Sequence, residues 1–391
     1  MRLKFLADVV AGQSPPSEDV AVLSDGIPFL QGNAEFGDRH PTPKWQVENP
    51  PKRANEGDIL ISVRAPVGAL NVANQSLGIG RGLAAVRAVR CDPGFLWWWF
   101  HTQVSRLDSD SIGTTFNAIV AADLRNLEFP AICFDEQRVI ADYLDRETAQ
   151  IDALVAKQKE FTGLLRERRR TVVPSILSEA KLAAHHPDKL HRRTRMGNGS
   201  TPRSGEDRYY ADGTIPWVNS SVVNVPEVWE PSKRVTQTAV DECHLPMVKS
   251  GSILVALTGQ GKTRGAATIL RISSTINQHL AFIEPDRNFW LPEYLLWVLR
   301  SKYDDLRRIS SENGATRGGL TVGDLRDLKV PMPSLDEQSR LVSKLEDAVA
   351  KIDTLIAKAQ EHIALAKERR AALITAAVTG QLDVRTAGKA G

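Results

Sequence analysis

Ala256-Leu257-Thr258-Gly259-Gln260-Gly261-Lys262-Thr263 has the spacing of a permissive phosphate-binding loop. Such a loop cradles phosphate only when a helix follows at once, its N-terminus aimed at the anion. Here Arg264 to Leu270 reads as a second strand, which predicts a hairpin with Lys262 and Arg264 near its tip. No downstream run of apolar residues ends in the aspartate that nucleotide chemistry would need. Asn49-Pro50-Pro51-Lys52 opens like an amino-methyltransferase motif, but lysine stands where an aromatic ring must stack on the flipped base. No glycine-rich cofactor loop accompanies it, and no Asp…Glu-x-Lys nuclease cluster stands out. Cys91, Cys133 and Cys243 are far apart and form no Cys-x-x-Cys pair, so neither zinc nor a disulfide framework is expected. His185-His186 falls in a solvated linker and not in a metal site. Trp97-Trp98-Trp99 could stack on bases, but Leu295-Leu296-Trp297 recurs at the equivalent place, which predicts a helix face packed into a core. No catalytic residue and no metal ligand is expected in this chain.

The elements that would position any binding residue are laid out twice. Asp123-Leu124-Arg125-Asn126-Leu127-Glu128-Phe129-Pro130 returns as Asp324-Leu325-Arg326-Asp327-Leu328-Lys329-Val330-Pro331. Asp135-Glu136-Gln137 returns as Asp336-Glu337-Gln338, Ile151-Asp152-Ala153-Leu154 as Ile352-Asp353-Thr354-Leu355, and Glu167-Arg168-Arg169 as Glu368-Arg369-Arg370. The offset is 201 residues throughout, and about 20 of 48 aligned positions are identical. One unit has been duplicated within one chain.

From Asp135 the apolar period becomes helical. Ile140, Leu144, Ile151, Leu154, Phe161 and Leu165 form a predicted coiled-coil seam, matched by Leu341, Leu345, Ile352, Leu355 and Ala359. Ser334 and Glu337 have capping-box spacing, Gly380 is a natural helix stop, and Pro174 is expected to kink or end the first helix. At ~1.5 Å per residue, some 40 residues make a rod about 60 Å long, which needs a partner to cover its stripe.

The globular parts keep only anchors. Asp25-Gly26-Ile27-Pro28-Phe29-Leu30 parallels Asp212-Gly213-Thr214-Ile215-Pro216-Trp217-Val218, Gly57-Asp58-Ile59-Leu60 parallels Gly251-Ser252-Ile253-Leu254, and Gly113-Thr114-Thr115 parallels Gly314-Ala315-Thr316. Short apolar runs between glycine and proline turns predict mostly-β domains. The expected organisation is α+β: a β-rich domain over 1–134, a helix over 135–184 with a linker to 190, a second β-rich domain over 191–334, a helix over 335–383 and a tail over 384–391. If a pseudo-two-fold relates the copies, the two long helices run antiparallel and hold the domains at a fixed separation.

Composition sets limits on function. With 391 residues, 42% hydrophobic and 25% charged, the chain suits two or three soluble domains. A formal net charge of +3 does not announce a nucleic-acid partner, so any such surface must be local; residues 1–134 are slightly acidic and 185–334 modestly basic. Phe95 to Phe100 is too short an apolar run to span a membrane, the N-terminus lacks a signal-peptide core, and a cytoplasmic setting is expected.

The repeated Leu-x-x-Leu-x-x-Pro…Asp-Glu-Gln entry, the paired Ile-Asp-x-Leu helices, Gly199-Ser200-Thr201-Pro202, Ile215-Pro216-Trp217-Val218 and Thr379-Gly380-Gln381-Leu382 resemble the specificity subunits of type I restriction-modification systems. The resemblance covers nearly the whole length; the first copy departs from it with Gly12-Gln13-Ser14-Pro15. It implies two target recognition domains, each taking one half of a split sequence in double-stranded DNA. It also implies helices that dock two modification (methyltransferase) subunits, with restriction (translocase-nuclease) subunits in the complex. S-adenosylmethionine, ATP and Mg²⁺ would belong to those partners. Base-edge contacts would come from loop arginines, lysines and amides. The candidates are Arg39, Lys44, Arg64, Arg81 and Asn117 in the first domain, and Arg203, Arg208, Lys233, Lys262, Arg264, Gln278 and Arg317 in the second. On residues alone two other classes stay open: a nucleotide-dependent enzyme using the Lys262 loop, and a coiled-coil adaptor that binds only proteins.

Overall fold

The computed structural model describes residues 1–110, 119–183, 187–259, 262–312 and 319–387. Asn117, Arg317 and the Gly113 and Gly314 turns lie outside the described residues. The chain divides into two compact units, Met1–Glu160 with Gln360–Gly391, and Phe161–Ala359. Each unit therefore owns one β-rich lobe, part of one long helix and part of the other.

Unit 1 runs through β1 (Ala7–Ala11), β2 (Ala21–Val22), β3 (Ile27–Leu30), β4 (Trp45–Val47), β5 (Arg53–Ala54), β6 (Ile59–Ser62), β7 (Leu70–Val72), β8 (Leu77–Ile79) and β9 (Leu83–Ala88), then α1 (Pro93–Asp110) and α2 (Ala121–Asn126). Then α3 (Phe134–Ala183) begins. An antiparallel sheet has the order β1-β9-β6-β7, and a mixed sheet the order β2-β4-β3-β8-β5. Ile59–Ser62 is buried at every position: Ile59 to Ile61 as their apolar run requires, Ser62 with its hydroxyl hydrogen-bonded. One core lies between the sheets around Leu30, Leu60, Leu77, Ile79 and Leu83. The other packs Phe95, Trp97, Trp98, Trp99 and Phe100 of α1 against Phe129, Ile140 and Leu144, so the tryptophans are core.

Unit 2 repeats the plan. Its elements are β10 (Asp188–Lys189), β11 (Thr194–Asn198), β12 (Ile215–Val218), β13 (Glu227–Val228), β14 (Lys233–Val235), α4 (Gln237–Glu242), β15 (Ile253–Ala256), β16 (Ala267–Leu270), β17 (Thr275–Ile276) and β18 (Leu280–Pro285). They are followed by α5 (Pro292–Ser301), α6 (Tyr303–Glu312), α7 (Val322–Arg326), β19 (Lys329–Val330) and the start of α8 (Leu335–Val378). The end of α8 and α9 (Val384–Ala387) belong to unit 1. The sheet order β11-β18-β15-β16 reproduces β1-β9-β6-β7, and β14-β12-β17 reproduces β4-β3-β8, down to the parallel pair. Gly57 and Gly251 both sit at positive φ, 85° and 88°, where a side chain would be strained.

The repeated motifs have identifiable work. Asp123 and Asp324 each accept the backbone N–H three residues back, from Val120 and Thr321, and so start α2 and α7. Leu124 and Leu325 beside them are fully buried. The glutamine of Asp-Glu-Gln is buried in both copies. Gln137 accepts from Asp92 N at 2.8 Å and donates to Ile132 O at 2.8 Å; Gln338 accepts from Leu291 N at 2.8 Å and donates to Phe289 O and Pro333 O. Each amide thus ties the start of a long helix to the start of the lobe helix beside it.

Within unit 1 the first part of α3 and the last part of α8 run antiparallel: Asp152 pairs with Arg370 at 3.0 Å, and the earlier Ile140 and Leu144 share a core with the later Ile374, Ala377 and Val378. Within unit 2 Arg169 pairs with Asp353 at 2.7 Å, and Glu179 with Lys344 and Arg340. Arg169 and Arg370, from the repeated Glu-Arg-Arg triplets, are therefore helix ties.

Several expectations are corrected. Ile140, Leu144, Leu165, Leu341, Leu345, Ile352 and Ala359 are buried, and Ile151 is half-buried, but Leu154, Phe161 and Leu355 are exposed by 49%, 43% and 44%. The α3 seam runs instead through Thr148, Val155 and Thr162, and the α8 seam through Val349. Apolar side-chain size put the stripe one position off, and the threonines that fill it are invisible to an apolar count. Helix α3 passes through Pro174 without ending. Pro174 is exposed, so water can take the carbonyl its missing N–H leaves free. Ser334 accepts from Glu337 N at 3.3 Å, but the Glu337 carboxylate turns to Arg340 at 2.6 Å, so the capping box is half made. Residues 188–190, expected in the linker, pair with the end of their own lobe: β10 with β19, and Leu190 N with Leu328 O. Leu3 N to Leu127 O is the same bond in unit 1, so Leu190 answers Leu3.

Candidate nucleic-acid interface

In unit 1 the chain leaves β1 through Gly12-Gln13-Ser14-Pro15 and passes hard against the segment joining β8 to β9. Gly12 N donates to Leu83 O and Gln13 N to Ile79 O, both at 2.9 Å. A side chain at Gly12 would strike the Gly80 carbonyl, which is why glycine stands there. The turn delivers Ser14 to Arg81: the Ser14 hydroxyl accepts from Arg81 N at 3.2 Å, Arg81 Nε at 3.3 Å and Gln31 Nε2 at 2.8 Å. Val63 N donates to Gly82 O, which sets Arg64 next to Arg81 in the fold. The Arg64 loop is braced by Ser62, whose hydroxyl donates to Pro66 O and accepts from Ala69 N. Arg64 and Arg81 are exposed.

Unit 2 builds the same tip. Ser200 N donates to Ile276 O, and a side chain at Gly199 would strike that same carbonyl. Thr201 bonds Gln278, Gln278 Nε2 lies 3.3 Å from His279 Nε2, and His279 Nδ1 lies 2.7 Å from Thr258 Oγ1. Leu257 N donates to His279 O, which places the β15–β16 loop alongside. Strands β15 and β16 pair antiparallel and the element next after Lys262 is β16, so the phosphate-loop resemblance is a hairpin. Lys262 is exposed and its carbonyl accepts from Tyr303 Oη at 2.9 Å, while Arg264 is half-buried.

The remaining candidates lie elsewhere. Arg203, Arg208 and Lys233 gather beside β14 and α4 in a second patch. Arg208 is taken up by Glu206, Tyr209 and Glu242, with the Glu206 hydrogen bond holding its pKa up, whereas Arg203 is 80% exposed and 3.7 Å from Glu206. Lys233 lies 5.6 Å from the Tyr210 ring. Lys44 is exposed just ahead of β4. Arg39 turns back toward the helices, 5.7 Å from the Trp97 ring and 3.9 Å from Asp145. Ser14, Thr201, Thr258 and His279 were not foreseen; the repeated Gly-x-Ser/Thr-Pro turn was the signal that could have found the first two.

Arg39 also bears on stability. The half-buried imidazole of His101 sits against Trp97 and Trp98, and its buried Nε2 has no hydrogen-bond partner among the described residues. Burial first, then Arg370 and Arg39, pushes its pKa down to about 4. The folded state therefore refuses a proton that the unfolded chain takes up near pH 6.5. Stability is full above that value and falls as pH drops toward 4, by on the order of 2–3 kcal/mol. Urea unfolding at pH 7.5 and 4.5 checks this: His101→Phe should lose less stability across the interval than the parent, and equal losses would refute it.

Among the described residues, no three His, Cys, Asp or Glu side chains converge as a metal site, and no helix is long and apolar enough to cross a membrane. A lobe-and-helix unit built twice, with an exposed polar tip on each lobe, defines a duplicated recognition scaffold. Residues 2–160 and 195–364 match the family described as the type I restriction modification DNA specificity domain, and the chain belongs to that family. It is 38% identical over 176 residues to the putative type I restriction enzyme MjaX specificity subunit of Methanocaldococcus jannaschii. That match takes in 44% of this chain and 40% of the relative, so the chain spans about two fifths of that relative's length. A chain from a structure concerned with complex assembly and conformational transition of the type I R-M system aligns over 98% of this chain and 97% of its own, with TM-score 0.74 and 17% identity. The HsdS subunit from Thermoanaerobacter tengcongensis aligns over 98% and 96%, with TM-score 0.60 and 18% identity. At these identities the structures speak for the fold alone.

Proposed function

We propose that this chain is the DNA-recognition subunit of a type I restriction-modification complex, reading a bipartite, asymmetric site in double-stranded DNA with unread base pairs between the halves. The observation that carries this reading is the pair of tips, built on one backbone plan and furnished with different side chains. A common plan suits a common task, and unlike side chains suit unlike half-sites. The chain has no catalytic part in this reading: methyl transfer, nuclease and translocase work fall to partners, which also hold S-adenosylmethionine, ATP and Mg²⁺. Two modification subunits would dock on the long helices. Support comes from the apolar side chains exposed at repeated positions, Phe134 and Leu335, Leu154 and Leu355, Leu164 and Leu365, since a duplicated surface suits two copies of one partner.

Mapping methylated sites in genomic DNA treated with this chain and its modification subunits tests the proposal. A split motif with two different halves is expected; a contiguous or palindromic motif would overturn it. Deleting one heptad from each helix at equivalent places, 149–155 and 350–356, should change the number of unread base pairs and leave both halves as they were. An unchanged spacer in the mapped motif would remove the helices from that role.

A further inference from the structure

The hydrogen bonds of the two tips put Arg81 and Gln278 in the same place. Gly12 N to Leu83 O answers Gly199 N to Leu280 O, Gln13 N to Ile79 O answers Ser200 N to Ile276 O, and Gly80 N to Leu30 O answers Asn277 N to Val218 O. Val63 N to Gly82 O answers Leu257 N to His279 O, and Ile119 N to Val63 O answers Leu320 N to Leu257 O. Residues 79 to 83 thus superimpose on 276 to 280 one for one, and the turn hydroxyl of Ser14 on that of Thr201. Backbone and buttress are shared; the side chain they hold differs.

From this matched geometry we infer that Arg81 and Gln278 are the paired base-reading side chains of the two lobes, Arg81 taking guanine and Gln278 adenine, with Ser14 and Thr201 as their positioning residues. The inference rests on the proposed reading of the chain as a DNA-recognition subunit. Ser14 engages Arg81 through Nε, which leaves the two terminal nitrogens as the fork that meets guanine O6 and N7. Arg81 has no carboxylate partner among the described residues, in contrast to Arg208 with Glu206 and Glu242. The Gln278 amide is oriented from both ends, its oxygen accepting from Thr201 and its nitrogen directed at His279 Nε2. His279 can accept there because its Nδ1 faces Thr258 Oγ1. One lone pair and one N–H remain, the acceptor-donor pair that matches adenine N6 and N7. Both side chains are exposed, so neither needs to move to meet a groove.

The test uses the complex of the full chain with its modification subunits, and maps methylated motifs for the parent, Arg81→Gln, Arg81→Lys, Gln278→Arg and Ser14→Ala. Arg81→Gln should shift one position of one half-site from guanine toward adenine, and Gln278→Arg should shift one position of the other half from adenine toward guanine. Arg81→Lys, which keeps the charge and removes the fork, should cut discrimination at that same position by about 10- to 100-fold. Ser14→Ala should blur the same position and no other. Binding weakened by one common factor on every sequence, with a shallower salt dependence, would mark Arg81 as a phosphate contact and overturn the inference. A parent motif that is split, with variants that leave it unchanged, would overturn the inference alone. A parent with no sequence preference would overturn the recognition reading beneath it.

Discussion

Replacing Gln338 with leucine should cost the second unit about 3–5 kcal/mol, the largest loss expected of any single substitution in the helix entries. The amide is fully buried and meets three backbone groups, Leu291 N, Phe289 O and Pro333 O, at 2.8 to 2.9 Å. Leucine fills the space but leaves one donor and two acceptors stranded where water does not reach. Removing one side of such a contact costs more than the contact contributes net, because the remaining partners lose their hydration for nothing. Gln137→Leu should cost less, about 2–4 kcal/mol, since that amide serves two groups, Asp92 N and Ile132 O. The measurement is amide exchange at the start of α5 and α8 for Gln338→Leu, and of α1 and α3 for Gln137→Leu. A two-unit chain need not unfold in one step, so a single melting temperature would mislead. Protection unchanged to within about 1 kcal/mol would mean that the buried glutamines do not hold the helix entries together.

An exchange of residues 1–134 for another lobe should replace one half-site completely and leave the other half and the spacer untouched. The structure adds a condition. The lobe's core does not stop at residue 134: Phe95 and the tryptophans of α1 pack with Ile140 and Leu144 of α3 and with Ile374, Ala377 and Val378 of α8, and Trp98 Nε1 donates to Asp145 at 2.9 Å. A donor lobe must bring an α1 face of similar volume, or the graft will open a cavity worth several kcal/mol. Motif mapping decides the outcome; alteration of both halves would mean that the lobes do not read independently.

Much of this was legible in the sequence because duplication is a comparison carried within the chain. The 201-residue offset marks both long helices and the Asp-Glu-Gln entries, whereas the short helices α2 and α7 ahead of them show only as a repeated stretch with no helical reading. The seam was read one position off at Leu154 and Phe161, since threonines at 148 and 162 complete the stripe without an apolar signature. At the interface, Arg64, Arg81, Lys262 and Gln278 could be picked by type and by their place in loops. Their fates could not. Whether an arginine faces solvent or a neighbouring carboxylate depends on segments far apart in sequence: Arg39 meets Asp145, and Arg208 meets Glu242. The buttressing role of Ser14 depends on a glycine turn crossing a strand end some 67 residues later, which no local pattern encodes.

The two helix ties, Asp152 with Arg370 and Arg169 with Asp353, are one contact made twice with the roles exchanged, since 353 is 152 plus 201 and 370 is 169 plus 201. Such reciprocity is the signature of a self-complementary surface. A half-length chain bearing one lobe and one helix would hold both halves of that handshake, and would complete it only with its own twin. On the proposed reading, two like lobes would favour an inverted-repeat target, and joining two copies in a single polypeptide would let each lobe take a separate word.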